Sequence, residues 1–591
     1  MNESNLFRRL NVISLTTLAL ATSSPAQLNT LDRPFDPVVI NGQSLPALLS
    51  VTPSNVVAFR YHAGWEQVPV QVDERKWADF GVIYGGAATG VTALVYADAG
   101  TYTGADTNTL FDADDELVFM VQDTGDRAPA NACFPAGTLT NNPVELTITD
   151  PLTNGVSYLY LFRSDGSLNP AAGKDYVKYQ FTLLAGTYPA NYNIWTGPNP
   201  ENSYVTNAWY RTHFSDRWIR DELNIYASGA SGADILDRHK NMFAPGNCGR
   251  TENTFSAGEG AFIANKDGPV RAIRSYLGAN SGPLTQRDHF FYERRQDLVT
   301  YLRVHPISGV TDLYDYSTNA TGMVYFNSLN TNGVTINGVP DTVTNGAITW
   351  EMATGAQGSV ITVSSVLTDI TPFSYTSYYS DDSTPSVTQC TGDAFEYGTS
   401  GIWINQAIPN TDPLRGAANH LTVTRIDYYD APGQTVATAA LRRQQALMPL
   451  QVAATDFSGD ADCDGMADAW ELAYFGNLNS GAATDTDGDG VADRAEYVAG
   501  TNPTNSASLP DLSIALSDGQ PVISFTALRA DGPGYAGLNR YYTLEGRAGL
   551  ASGNWESIPD FIAILGTNQS VNFPVTASGV AQFYRMRIEL R

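Results

Sequence analysis

The sequence predicts a mainly β, multidomain chain: β-sandwich domains joined by a small helical segment built on two metal-binding loops. Three observations predict it. Short segments such as Val144–Thr149 alternate apolar and polar residues with period two, as half-buried strands do. The 591 residues include 52 Gly, 31 Pro and 31 Tyr, a composition suited to many short strands and tight turns. The stretch from Asp460 to Glu496 departs from this pattern, with two acidic loops that each run into a short helical pattern.

Charge and length narrow the class. The chain carries 61 acidic against 34 basic residues, a formal net charge of -27. That balance disfavours nucleic acid, whose phosphates need basic neutralisation, and general attachment to anionic membranes. Residues 1–26 read as a secretory signal. Arg8 and Arg9 precede the apolar run Leu10 to Ala21, and Ala19-Leu20-Ala21 and Ser24-Pro25-Ala26 offer small-residue cleavage sites. The paired arginines also suggest the twin-arginine route, although Asn11 stands where that signal wants an aromatic residue. No other run has the length and apolarity of a transmembrane segment. The mature chain is therefore expected outside the cytoplasm: secreted, periplasmic or attached at the cell surface. Cys133, Cys248, Cys390 and Cys463 permit three full pairings in an oxidising compartment, and a free or structural thiol remains equally open.

Residues 28–176 form the first predicted β-domain. Val68–Val72 and Glu116–Val121 are strand candidates, and Val144–Thr149 pairs with Ser157–Phe162 in a hairpin turned at Asn154-Gly155. The cluster Asp112, Asp114, Asp115 and Glu116 lacks full ligand spacing and reads as a solvated acidic turn. Residues 177–452 form the main domain, an antiparallel sandwich or an extended two-sheet fold. It holds five of the six histidines, and a helix from Ala437 to Met448 closes it before Pro449.

Residues 453–508 carry the loops. Asp460, Asp462, Asp464, Asp468 and Glu471 fall at positions 1, 3, 5, 9 and 12 of a calcium loop, as do Asp485, Asp487, Asp489, Asp493 and Glu496. Calcium is a hard cation that takes six to eight oxygens, and alternate carboxylates in a tight loop converge on one point. Gly465 and Gly490 at position 6 permit the sharp turn, while Met466 and Val491 at position 7 supply backbone carbonyls. Each loop feeds one exit helix and has no entering helix, so each is half an EF-hand. Ten crowded carboxylates repel until cations neutralise them, which predicts folding coupled to Ca2+.

The loop-plus-helix pair resembles dockerin-type calcium repeats. Asp464-Gly465-Met466-Ala467-Asp468-Ala469-Trp470-Glu471 and the run from Asp487 to Pro503 also resemble the thrombospondin type 3-like repeats of secreted bacterial multidomain proteins. The resemblance covers the C-terminal quarter. It implies a calcium-set connection between a large exported region and a small C-terminal β-domain. Cohesin binding is not implied, because the helix-face residues that dockerins use find no match here. Residues 509–591 fit that small domain, an immunoglobulin-like sandwich with strands at Ser513–Leu516, Val522–Phe525, Tyr541–Leu544 and Gln582–Ile588 and Trp555 in its core.

Catalytic chemistry has one candidate stretch, Arg287 to His305. Extended throughout, its odd positions would share a face carrying Arg287, His289, Glu293, Arg295, Tyr301, Arg303 and His305; a turn near Gln296-Asp297 would set two halves side by side. Such a set suits a polysaccharide lyase, which removes the proton beside a uronate carboxylate. Arg303 or Arg295 would neutralise that carboxylate, His289 or His305 would act as base, and Tyr292 or Tyr301 as acid. A solvated sheet face with cross-strand ion pairs and glycoside hydrolysis by Glu293 with Asp297 are the competing readings. The sequence has no GxSxG, HExxH or Walker loop. The expected partner is extracellular polysaccharide; the alternative is a non-catalytic surface or matrix adhesion protein.

Overall fold

A computed structural model describes residues 29–83, 90–185, 199–244, 250–258, 260–279, 282–303, 307–384, 396–408, 419–549, 553–575 and 582–591. The predicted signal, His305, Cys248 and Cys390 lie outside these residues.

The fold is mainly β and built from several sheets. In the first region, a three-stranded sheet (Pro37–Asn41, Glu116–Met120, Gln71–Asp73) faces a five-stranded one. Leu45, Leu48, Val56, Leu117, Phe119, Leu146 and Leu161 are buried between them. The predicted hairpin is present as Val144–Thr149 with Val156–Arg163, and Asn154 takes a positive φ of 59° in its turn. The five-stranded sheet also contains Gln451–Asp456, which pairs along its whole length with Val144–Thr149. The expected boundary at 452/453 thus cuts through a strand: after the main domain the chain returns to complete the first sandwich.

The main domain is a sandwich around a nine-stranded antiparallel sheet. Its centre runs Ala272–Ala279, Gly282–Phe291, Arg295–Arg303, Asn419–Asp430 and Gly358–Thr368. Two four-stranded sheets contribute to the same cores; Tyr210, Phe214 and Leu223 from one and Tyr314 and Tyr316 from the other join Phe291, Val360 and Tyr429. The closing helix spans Val436–Leu447, with the Thr435 side chain accepting from the Thr438 N–H.

Beyond the loops, Leu512–Ser517, Gln520–Ala527 and Gln569–Pro574 form one small sheet, and Arg540–Arg547 with Phe583–Leu590 anchor another. Phe525, Ala527 and Tyr542 are buried between them. Trp555 is half-buried and held between the guanidinium groups of Arg547 and Arg585, at 4.3 and 4.6 Å. Among the described residues no helix is long and apolar enough to cross a membrane.

Candidate functional site

The two acidic loops close around their first aspartates. Asp460 accepts from the N–H groups of Asp464 (3.2 Å) and Gly465 (2.8 Å), and Asp485 from those of Gly488 (2.8 Å) and Gly490 (2.9 Å). Gly465 and Gly490 sit at φ 92° and 93°, where a side chain is strained. Asp464 accepts from Met466 N–H and Asp489 from Val491 N–H, at 2.9 and 2.8 Å. The exit helices are Asp468–Tyr474 and Asp493–Ala499, the second ended by Gly500 at φ 79°.

Some carboxylate oxygens then remain unmatched. Asp464 Oδ2 and both oxygens of Glu471 are buried with no hydrogen-bond partner, as are Asp487 Oδ2, Asp489 Oδ2 and both oxygens of Glu496. They occupy positions 5 and 12 of the first loop and 3, 5 and 12 of the second. A buried oxygen without a donor is costly, and a hard cation offers the missing partner to several at once. Asp460, Asp462 and Asp464 bring ligand atoms within 4.8 Å of one another, as do Asp485, Asp487 and Asp489. Burial, then the crowded carboxylates, push Glu471 up to about 8; burial pushes Glu496 up to about 7, with the nearby Thr501 hydroxyl pulling the other way and Asp487, Asp489 and Asp493 adding to the rise. Burial raises Asp460 and Asp468 to about 6. Asp468 and Asp493 are engaged internally, accepting from Ala461 N–H (2.8 Å) and Thr486 N–H (3.0 Å), which suits position 9, often a water-mediated ligand. The residues present fit calcium.

Both neighbouring bodies grip this segment. Cys463, at loop position 4, is disulfide-bonded to Cys133 of the first sandwich, and Asp460 N–H donates to Ala132 O at 3.1 Å. On the other side Trp470 packs on Tyr497 (5.2 Å), and Tyr497 stacks on Tyr535 (4.9 Å). Tyr497 Oη donates to Gly534 O at 2.6 Å, and Arg540 Nε donates to Val498 O at 2.7 Å.

The catalytic candidates are not brought to one face. The chain turns at 292–294, so Gly282–Phe291 and Arg295–Arg303 pair antiparallel with His289 opposite Leu298 and Arg287 opposite Thr300. The fully extended reading is corrected; the two halves do lie side by side, with the turn at 292–294 instead of near Gln296-Asp297. Asn207 Nδ2 and Tyr210 Oη fix the turn by donating to Tyr292 O. His289 points into the sandwich, 1% exposed, between Tyr276 Oη (3.1 Å) and Gln296 Nε2 (3.0 Å). Burial, then Arg287 and Arg274, hold its pKa well below the usual imidazole range. Neutral and enclosed, it cannot meet a polymer, which overturns its assignment as base. Tyr292 is buried against Arg271, its phenol pushed up to about 12 by burial. Arg295 is committed to Asp297, at 2.5 and 2.9 Å. Glu293 is held by Lys174 and by Gln122 Nε2 (2.6 Å), so it does not form an acid pair with Asp297.

Arg303 and Tyr301 lie on the opposite face of the sheet. Arg303 is 5% exposed; its Nη2 donates to Gln286 Oε1 at 2.9 Å, while Nε and Nη1 have no partner. Its guanidinium lies 5.0 Å from the Phe80 ring and 5.2 Å from that of half-buried Tyr301.

The sequence did not reveal the buried ionic network inside the sandwich. Asp312 receives His239 Nε2 (2.8 Å), Arg425 (3.1 Å) and Arg287 (3.2 Å), and Arg274 pairs with Glu201 at 2.6 Å. Its local trace is the alternating Arg425-Ile426-Asp427, but the partners lie far apart in the chain. Trp218, Asn241, Arg287, Thr311 and Asp312 line a cavity of about 10 Å³, room for a single water. The Asp112 cluster is not the solvated turn expected: Asp115 is fully buried and accepts from Arg75 N–H and Asp112 N–H, both at 2.9 Å, and Asp112, Asp114 and Asp115 also bring ligand atoms within 4.8 Å of one another.

Fold and loops together define a mainly β, multidomain chain with a two-loop candidate cation centre. No family model matches it, and no curated protein matches its sequence. Among solved structures, a putative aldose 1-epimerase from Escherichia coli K12 aligns at 8% identity and TM-score 0.23, covering 43% of this chain and 99% of that one. A glycosyl hydrolase family 38 protein from Enterococcus faecalis aligns at 8% identity and TM-score 0.32, covering 85% of this chain and 52% of that one. An alpha-mannosidase from Enterococcus faecalis V583 also aligns at 8% identity and TM-score 0.32, with coverage of 86% and 50%. The chain spans about half the length of the latter two. Scores this low bring neither the fold nor the activity of those proteins to this chain.

Proposed function

We propose that the chain is a secreted multidomain β-protein, set by calcium at Asp460–Glu471 and Asp485–Glu496, that binds or acts on extracellular polysaccharide. One observation carries the calcium part: buried carboxylate oxygens without partners at matching positions of both loops. Bound calcium would supply charge neutralisation. Asp460, Asp462, Asp464, the Met466 carbonyl and Glu471 would hold one ion, and Asp485, Asp487, Asp489, the Val491 carbonyl and Glu496 the other. The likeness of the loops to dockerin-type and thrombospondin type 3-like repeats agrees with that role. The Cys133–Cys463 disulfide suits an oxidising compartment, in keeping with residues 1–26 as a signal.

For the polysaccharide, a lyase reading now rests on Arg303 and Tyr301. The Tyr301 hydroxyl suits proton donation and His305 is the remaining candidate imidazole for the base, while Arg303, whose unpartnered Nε and Nη1 are buried, would set the charge around Tyr301 rather than touch the polymer. The test is a panel of uronate polymers. Wild type should release unsaturated, ultraviolet-absorbing product and Arg303→Ala should not; silence across the panel removes the lyase reading. The second reading, a non-catalytic surface or matrix adhesion protein, is favoured by the way Arg295, Asp297, Glu293 and His289 are all tied to other side chains. It predicts polysaccharide retention that persists in the Arg303→Ala/Tyr301→Phe double variant.

A further inference from the structure

The two loops share a sequence pattern, yet the structure ties only one of them to the first sandwich by covalent chemistry. In the first loop, position 1 is anchored by Asp460 N–H to Ala132 O at 3.1 Å, and position 4 by the disulfide from Cys463 to Cys133, 330 residues away in sequence. Cys133 and Asp460 also form a parallel bridge, and Phe457 just upstream packs on Tyr160 at 4.9 Å and on Phe134 at 5.9 Å. Cys463 takes a positive φ of 62°, a conformation unfavourable to an L side chain that the loop requires at this point. In the second loop, position 4 is Gly488, which has no side chain, and Asp485 is exposed where Asp460 is buried.

We propose that the Cys133–Cys463 disulfide is a redox control on cation binding at the first loop, one that leaves the second loop largely unaffected. The proposal rests on the calcium reading of both loops. The oxidised link holds positions 1 and 4 in place before a cation arrives, so less chain ordering is charged to binding. Reduction by a dithiol adds two electrons and two protons across the S–S bond. It leaves two thiols and converts the dithiol to its own disulfide. The loop must then be ordered from a freer state, and its affinity falls. Linkage makes the effect reciprocal: whatever factor the disulfide adds to calcium affinity, calcium adds to resistance of the disulfide against reduction.

The first sandwich has a core of its own, and the link lies at its edge, so the thiol state should be separable from global folding. The test is calcium titration by calorimetry of the full chain, oxidised and after mild dithiothreitol, alongside a Cys133→Ser/Cys463→Ser double variant. An Asp487→Asn/Glu496→Gln background removes the second site and isolates the first. The oxidised chain should bind calcium in that background, with affinity about tenfold or more weaker after reduction and in the serine variant. In the converse background, Asp462→Asn/Glu471→Gln, affinity should be unchanged by dithiothreitol. At a fixed ratio of reduced to oxidised dithiothreitol, the equilibrium fraction of reduced Cys133 and Cys463, read by alkylation and mass spectrometry, should be lower in calcium than in chelator. Equal affinity in both thiol states, with calcium leaving the reduced fraction untouched, overturns the redox control. An oxidised chain that binds no calcium in either background overturns the calcium reading instead. Circular dichroism on the same samples identifies any variant that has lost its fold, and the dithiothreitol arm on native chain then decides.

Discussion

At the scale of single residues, charge without a partner distinguishes the loops from the rest of the acidic surface. Glu471 and Glu496 each bury two oxygens that no donor meets. Glu471→Gln and Glu496→Gln should each remove about half of the calcium-induced stabilisation, which for one site at a hundredfold excess over Kd is about 2.7 kcal/mol. Melting curves with and without calcium check this; in chelator both variants should melt at or above the wild type, since an unmet charge is gone. The buried imidazoles behave in the opposite sense to the loop carboxyls. Burial lowers His239 to about 4 from its ordinary 6.5, and His289 in the same direction. The unfolded chain therefore takes up the proton first, so their contribution to stability is complete above pH 6.5 and is lost as pH falls toward 4. Asp123 and Asp315, raised by burial to about 6, act oppositely, with stability lost as pH rises through 6. The direct check is the ring resonances of His239 and His289, which should not titrate between pH 7.5 and 5. The inward direction of His289 was hidden in the sequence because its strand carries polar residues on both faces, Arg287 and His289 on one and Gln286 and Asp288 on the other, all four of them buried.

At the scale of elements, the acidic loops and their exit helices were legible because their pattern is local: carboxylates and glycine at fixed offsets need no distant partner. The Val144–Thr149 hairpin was legible for the same reason, through alternation and an Asn-Gly turn. The turn at 292–294 was not, since Tyr292-Glu293-Arg294 contains no Gly, Pro or Asn and is held by Asn207 and Tyr210 from another sheet. Gly465 tests the loop backbone. A Cβ there would lie 2.7 Å from Arg494 Nε, at a φ of 92°. Gly465→Ala should cost about 1–3 kcal/mol and weaken the first site. Gly476→Ala, at φ 72° but with open space around it, should leave both sites intact by calorimetry. Trp470, 1% exposed, joins the exit helices to the C-terminal body. Trp470→Ala should cost about 3–5 kcal/mol, seen as an earlier separate transition of the C-terminal part in differential scanning calorimetry.

At the scale of the molecule, the loop segment acts as a clasp between two sandwiches. It holds the first by a disulfide and an aromatic cluster around Phe457, and the last by Trp470, Tyr497, Tyr535 and Arg540. The first and main domains are joined separately, by Arg271 with Asp73 (2.8 Å) and Glu116 (2.6 Å). The mainly β class was readable from composition and alternation. The return of Gln451–Asp456 to the first sheet was not, because its pairing with Val144–Thr149 spans about 300 residues and no local pattern encodes register at that range. The separate joint predicts that losing calcium loosens the C-terminal sandwich while the large sandwich stays folded. Equilibrium dialysis of the full, calcium-stripped chain, followed by melting of the same samples, tests the clasp most directly. The account predicts two calcium ions bound per chain and a rise in the melting temperature of the C-terminal part. No bound calcium at millimolar concentration, with the melting profile unchanged, would contradict it.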